Sequence, residues 1–132
     1  MKKIAATLPI IWLIIVVILH VMQVPMHRDS EIRIPFADKI VHFSMFFILA
    51  FLWLRSGQYH FTRLQNYHYI LLFFGCIVFG GIMEFIQGIV PSHRESDILD
   101  WCADVAGSAA GLLIGDKNYL PFIFRHQIRK AA

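Results

Sequence analysis

Four stretches of this chain are too long and too evenly apolar to be faces of soluble helices. They are 6–24 (ATLPIIWLIIVVILHVMQV), reaching back toward Ile4, then 35–54, 69–90 and 98–115. An α-helix needs about 20 mainly apolar residues to cross a hydrocarbon core about 30 Å thick, and each stretch is close to that length. The apolar residues run in blocks rather than in an amphipathic rhythm, and they make up 58% of the 132 residues, against 16% charged. These observations exclude an ordinary soluble domain and predict an all-α integral membrane bundle of four transmembrane helices. One domain over 1–132 is expected, with spans at about 4–24, 35–54, 69–90 and 98–115. The first span follows a basic start, Lys2 and Lys3, but it is too long for a secretory h-region and ends without a small-x-small cleavage site. It is read as a retained helix.

Lys and Arg counting sets the expected orientation. Lys2, Lys3, Arg55, Arg63, Lys117, Arg125, Arg129 and Lys130 fall on one side, and Arg28, Arg33, Lys39 and Arg94 on the other. Both termini are therefore expected in the cytoplasm, with residues 25–37 and 91–97 extracytoplasmic. The tail 116–132 mixes Phe122, Ile123, Phe124 and Ile128 with cations. It reads as a basic amphipathic segment on the anionic inner leaflet or as a plain positive-inside anchor. Cys76 and Cys102 have no metal or disulfide spacing and are read as core thiols. No nucleic-acid partner is expected; membrane lipids are.

The polar residues converge on one end. Asp38 and His42 are four apart and share a face of the second helix; Glu84 and Gln87 are three apart near the end of the third. Asp97, Asp100 and Asp104 form one stripe at the start of the fourth. At 1.5 Å per residue, His42, Glu84 and Asp104 lie roughly 8–10 Å below their helix ends. A charge at mid-helix depth costs about 2.5–3.5 kcal/mol on insertion scales, so these groups are expected to turn inward around a polar pocket in the outer half of the membrane. Arg94, Lys39 and His42 would be its counter-charges, and Pro91 would end the third helix so that Arg94 folds over the mouth. The remaining histidines, His20 among them, are expected at interfaces or in loops. Gly107, Gly111 and Gly115 form a small-residue ridge, usable for close packing within the chain or as a homodimer face.

The stretch DKIVHFSMFFILAFL resembles the D-K-x-x-H motif and following apolar helix of the VanZ-like membrane proteins. EFIQGIVPSHRESDILDWCADVAGSAAG is similar to the same family's E-x-x-Q, P-x-x-R-x-x-S/D-x-x-D and N-x-x-G-x-x-x-G block. The likeness runs from about Asp38 to Gly115, the first helix matching only in character. It implies functional positions at Asp38, Lys39, His42, Glu84, Gln87, Arg94, Asp97 and Asp100, with Gly107 and Gly111 structural. Where the family has an asparagine, this chain has Asp104. The resemblance implies a bacterial cell-envelope protein of the cytoplasmic membrane, from a family whose founding member is associated with resistance to teicoplanin.

From these residues the expected function is binding or chemistry on an envelope lipid or lipid-linked glycan at the outer leaflet. His42, Glu84, Asp100 and Asp104 would move protons, while Asp38, Lys39, Gln87, Arg94 and Asp97 would hold the ligand, Arg94 and Lys39 taking a phosphate or carboxylate. No cofactor is assigned and no residue is assigned as a metal ligand. A divalent cation on two or three of Asp97, Asp100, Asp104 and Glu84 is the weaker alternative. The competing class is non-catalytic: a scaffold or interaction protein whose cluster is a structural salt-bridge network. Alternating-access transport fits poorly, because no pair of broken helices is visible.

Overall fold

The computed structural model describes residues 2–21, 36–61, 64–89 and 97–116, and they form four helices. These are α1 (Lys2–Val21), α2 (Ala37–His60), α3 (Asn66–Ile89) and α4 (Ile98–Gly115). No strand occurs among the described residues, so the all-helical expectation holds. Three helices, α2, α3 and α4, are long and apolar enough to cross a membrane. The apolar segment Ala6–Val21 of α1 is shorter; the whole helix of 20 residues is about 30 Å long at 1.5 Å per residue. The sequence-expected end of the first span, 22–24, lies outside the described residues, as do the tail 117–132, Pro91 and Arg94.

α2 runs to His60, past the end of its apolar block at Leu54. Hydropathy marks where hydrocarbon ends, whereas the helix stops where its hydrogen bonding stops. Arg55, Ser56 and Gln58 continue it without difficulty, and it closes with the Phe61 amide donating to the Gly57 carbonyl at 2.9 Å. α3 likewise begins at Asn66, before its apolar block.

α2 is the central element and packs on α4, α1 and α3; α1 also touches α3, and α3 touches α4. Val16, Phe46, Ala50, Leu49 and Leu54, each at most 2% exposed, form the centre. Two indoles tie helices across it: Trp12 Nε1 donates to the Met45 carbonyl and Trp101 Nε1 to the Ile77 carbonyl, each at 3.0 Å. The outer faces are apolar, with Ile11, Ile14, Leu71, Phe74, Val78 and Phe85 all more than half exposed. A soluble monomer rarely leaves so much contiguous apolar surface; lipid chains are the matching solvent. Cys76 is buried as expected, but Cys102 is exposed on α4. The stripe that faces inward there is the acidic one, and Cys102 falls on the other side.

The α2–α4 contact depends on missing side chains. Gly107, Gly111 and Gly115 lie opposite Phe43, Phe47 and Phe51, so two ridges of four-residue spacing meet. A β-carbon at Gly107 would overlap the Phe43 carbonyl oxygen, and one at Gly111 the Phe47 carbonyl oxygen. The ridge is filled by α2 of the same chain. A second copy could use the same ridge only by displacing α2.

A Gly107→Ala substitution should therefore push α2 from α4 and cost about 1–3 kcal/mol, as overpacking does. Gly75→Ala, where a β-carbon meets nothing within 4 Å, should be neutral or stabilising by up to about 1 kcal/mol through helix propensity. Thermal unfolding of the two variants in detergent, read by circular dichroism, checks the contrast.

Candidate functional site

With α2 starting, α3 ending and α4 starting at the same end of the bundle, their polar residues meet there. The end of α1 joins them. The outermost group is Lys39. Its ammonium donates to Asp97 Oδ2 at 2.6 Å and to Asp100 Oδ1 at 2.9 Å, and the three side chains are 22%, 40% and 3% exposed. Deeper, His42 Nδ1 sits 3.0 Å from Asp104 Oδ1, and His42 Nε2 lies 3.9 Å from Asp100 Oδ2. His42 and Asp104 are almost fully buried, at 3% and 1%. Asp38 offers a carboxylate oxygen within 4.8 Å of His42 and Asp100 ligand atoms. The stripe of aspartates on α4 thus divides: Asp97 and Asp100 hold an ammonium, and Asp104 holds an imidazole.

α3 contributes Glu84 and Gln87, both buried. Glu84 Oε1 accepts the backbone N–H of Asp97, placing a carboxylate at the start of α4, where the free amides and the helix dipole favour negative charge. Asp97 completes the same helix start: its own Oδ1 accepts the Leu99 N–H at 2.9 Å. Gln87 Nε2 donates to the His20 carbonyl at 3.2 Å, linking α3 to α1.

His20 is the residue that sequence reasoning missed. It is buried, 7% exposed, in the last turn of α1 rather than in a loop. Its ring packs edge-on against that of His42, with centroids 5.0 Å apart. Its Nδ1 lies 2.8 Å from the Val16 carbonyl. The available signal was its place in an apolar span, where an ionisable side chain normally faces the protein interior, at the end that α1 shares with the start of α2. Of the remaining expected site residues, all but Arg94 are in or beside this cluster; Arg94 lies outside the described residues.

Among the described residues, three buried side-chain oxygens of this cluster have no hydrogen-bond partner: Glu84 Oε2, Gln87 Oε1 and Asp104 Oδ2. Buried polar atoms are paired in the great majority of cases, so three acceptors together at one end are unusual. The chemistry available is that of an acceptor-rich surface with one paired ammonium and two imidazoles, able to take hydroxyl or amine donors, a cation, or a proton.

The geometry defines the chain as a helical membrane protein with a buried charge cluster at one end of the bundle. The model of the VanZ/LLP1 family matches residues 3–116, and the chain belongs to that family. No curated protein and no solved structure matches it.

Asp97 lies outside the spanning helix, and its carboxyl is held below the usual aspartate value of 3.8, first by Lys39 and then by the Leu99 amide. A depressed carboxylate contributes stability that is complete above its unfolded pKa and lost as pH falls through the native one. Acid titration of the purified protein should therefore lose stability below about pH 4, and Asp97→Asn should flatten that limb. Lys39→Met should lower the melting temperature at neutral pH by stranding the buried Asp100 carboxylate, and adding Asp100→Asn should restore part of the loss.

Proposed function

We propose that the polar end of the bundle binds, and acts on, the headgroup of an envelope lipid or lipid-linked glycan at the extracytoplasmic side of the bacterial cytoplasmic membrane. The observation that carries this reading is the set of unused acceptors. Glu84 and Gln87, both more than nine-tenths buried, each keep a side-chain oxygen without a partner among the described residues. A network made only for stability would be expected to satisfy them. A sugar or glycerol hydroxyl, or an amine, supplies the donors they lack. Lys39 is already shared between two carboxylates, so an anionic group of the ligand would have to compete for it or use Arg94. His42 beside Asp104 is the pair suited to moving a proton. The extracytoplasmic placement rests on the Lys and Arg asymmetry, and a part in teicoplanin susceptibility rests on the family likeness.

A second reading has its own support. Lys39 is doubly bound by carboxylates, and Glu84 fixes the start of α4; both are what an interhelical brace would do. In that reading the chain is a non-catalytic scaffold. Glu84→Gln, Asp100→Asn and Arg94→Ala separate the two. Retained membrane abundance with a lost envelope or teicoplanin phenotype is the outcome expected for a ligand site, and parallel loss of abundance and phenotype would favour the brace. Mass spectrometry of envelope lipids from deletion and wild-type cells then reads chemistry: an unchanged profile leaves binding without turnover. A cysteine at Ser92 in a cysteine-free background should react with an impermeant reagent from outside intact cells; reaction only in broken cells would reverse the orientation.

A further inference from the structure

We propose that His20, His42 and Asp104 form a site for one divalent transition-metal ion of the zinc type, set inside the polar end of the bundle. One ligand atom from each of the three residues lies within 4.8 Å of the other two, and all three side chains are buried. Two imidazoles and one carboxylate suit zinc and similar borderline cations, and three protein ligands leave a fourth position open.

The surroundings have the second shell that such a site needs. His20 Nδ1–H donates to the Val16 carbonyl at 2.8 Å, which selects the tautomer in which Nε2 is the atom that ligates a metal. A ligating histidine usually donates its other N–H to a carbonyl or carboxylate in this way. For His42 the 3.0 Å separation of Nδ1 from Asp104 Oδ1 is near the roughly 3.3 Å between two ligands of a tetrahedral zinc bound at about 2.0–2.1 Å. The opposite ring nitrogen, Nε2, faces Asp100 Oδ2 at 3.9 Å, and Asp100 is itself fixed by Lys39. The second oxygen of Asp104 is buried without a partner among the described residues. It lies against Gly80, where a β-carbon would stand 3.1 Å from it, so the glycine leaves room for the carboxylate.

Charge selects this inner position over the outer one. Asp38, His42 and Asp100 also gather within ligand distance, but Lys39 is already the cation there, 2.9 Å from Asp100 Oδ1. Among the described residues the carboxylates of Asp38, Glu84, Asp97, Asp100 and Asp104 share this end with the ammonium of Lys39 alone of the lysines and arginines. A buried dication reduces that excess of negative charge. This inference does not rest on the headgroup reading: a metal held for stability alone would satisfy it, and in the metal-bound form His42 and Asp104 are ligands rather than the proton-moving pair.

The test uses the full chain purified in detergent, stripped with a chelator and then titrated with Co²⁺ and, separately, Zn²⁺. The expected result is uptake of one ion per chain, ligand-field absorption of low-symmetry Co²⁺, and nitrogen and oxygen neighbours, two of them imidazoles, in X-ray absorption of the zinc form. His20→Gln and Asp104→Asn should abolish stoichiometric uptake while circular dichroism shows retained helix, and Asp100→Asn should weaken it about 10–100-fold. His68→Gln, on α3 at the other end of the bundle, should bind as the wild type does. Folded wild-type protein that takes up no stoichiometric metal would overturn the proposal, as would a folded His20→Gln variant that binds with unchanged affinity. Should both ligand variants fail to fold, the imidazole count in the wild-type zinc spectrum decides: fewer than two rejects the site.

Discussion

The carbonyl oxygens of Phe43 and Phe47 occupy the space that β-carbons at positions 107 and 111 would fill. This backbone-to-backbone approach of α2 and α4 sets the geometry of the polar end. Bringing the helices so close puts Lys39 and His42, both on the first turns of α2, within direct reach of Asp97, Asp100 and Asp104. In hydrocarbon there is no water to solvate a carboxylate left short of its partner. The two features therefore need each other: the small ridge allows the ion pairs, and the ion pairs make an acid-bearing α4 acceptable as a membrane span.

The cluster is satisfied unevenly, and the unevenness follows a line. On the α2–α4 side each close contact pairs a base with an acid: Lys39 with Asp97 and Asp100, His42 with Asp104. Toward α3 and α1, among the described residues, the buried oxygens of Glu84 and Gln87 remain open, as does the Asp104 oxygen that lies against Gly80 of α3. Interhelical hydrogen bonds contribute only about 0.6 kcal/mol each on average, so stability gives little reason to bury polar groups that are then left unpaired. The two Lys39 pairs read as structure, while the open oxygens of Glu84, Gln87 and Asp104 are what the proposed ligand and cation would satisfy.

Much of this was legible in the sequence, for physical reasons that differ by feature. The helices announced themselves through hydropathy, because the bilayer imposes one length on all of them. The i, i+4 spacing of Asp38 and His42 and the stripe of aspartates on α4 were readable because helical periodicity is local. The glycine ridge was visible too, though its partner was not: nothing local to Gly107 says whether Phe43 of the same chain or another copy will face it. Cys102 was misjudged because an apolar thiol gives no clue to which side of a spanning helix it takes. His20 was passed over because its place in an apolar span showed only that it faces inward, whereas its partner, the ring of His42 at 5.0 Å, is non-local. Helix ends such as His60 were misplaced because hydropathy reports the membrane boundary, whereas backbone hydrogen bonds decide the terminus.

The pairing of α2 with α4 also has a consequence in time. A ribosome delivers α2 before α4, so Lys39 and His42 reach the bilayer ahead of the three aspartates. Until α4 follows, those two groups must stay near the headgroup region or be shielded by the insertion machinery. α4 in turn meets a bilayer in which its counter-charges already wait. Assembly of the bundle is thereby ordered by electrostatics: the weakest span comes last, into a place prepared by the second.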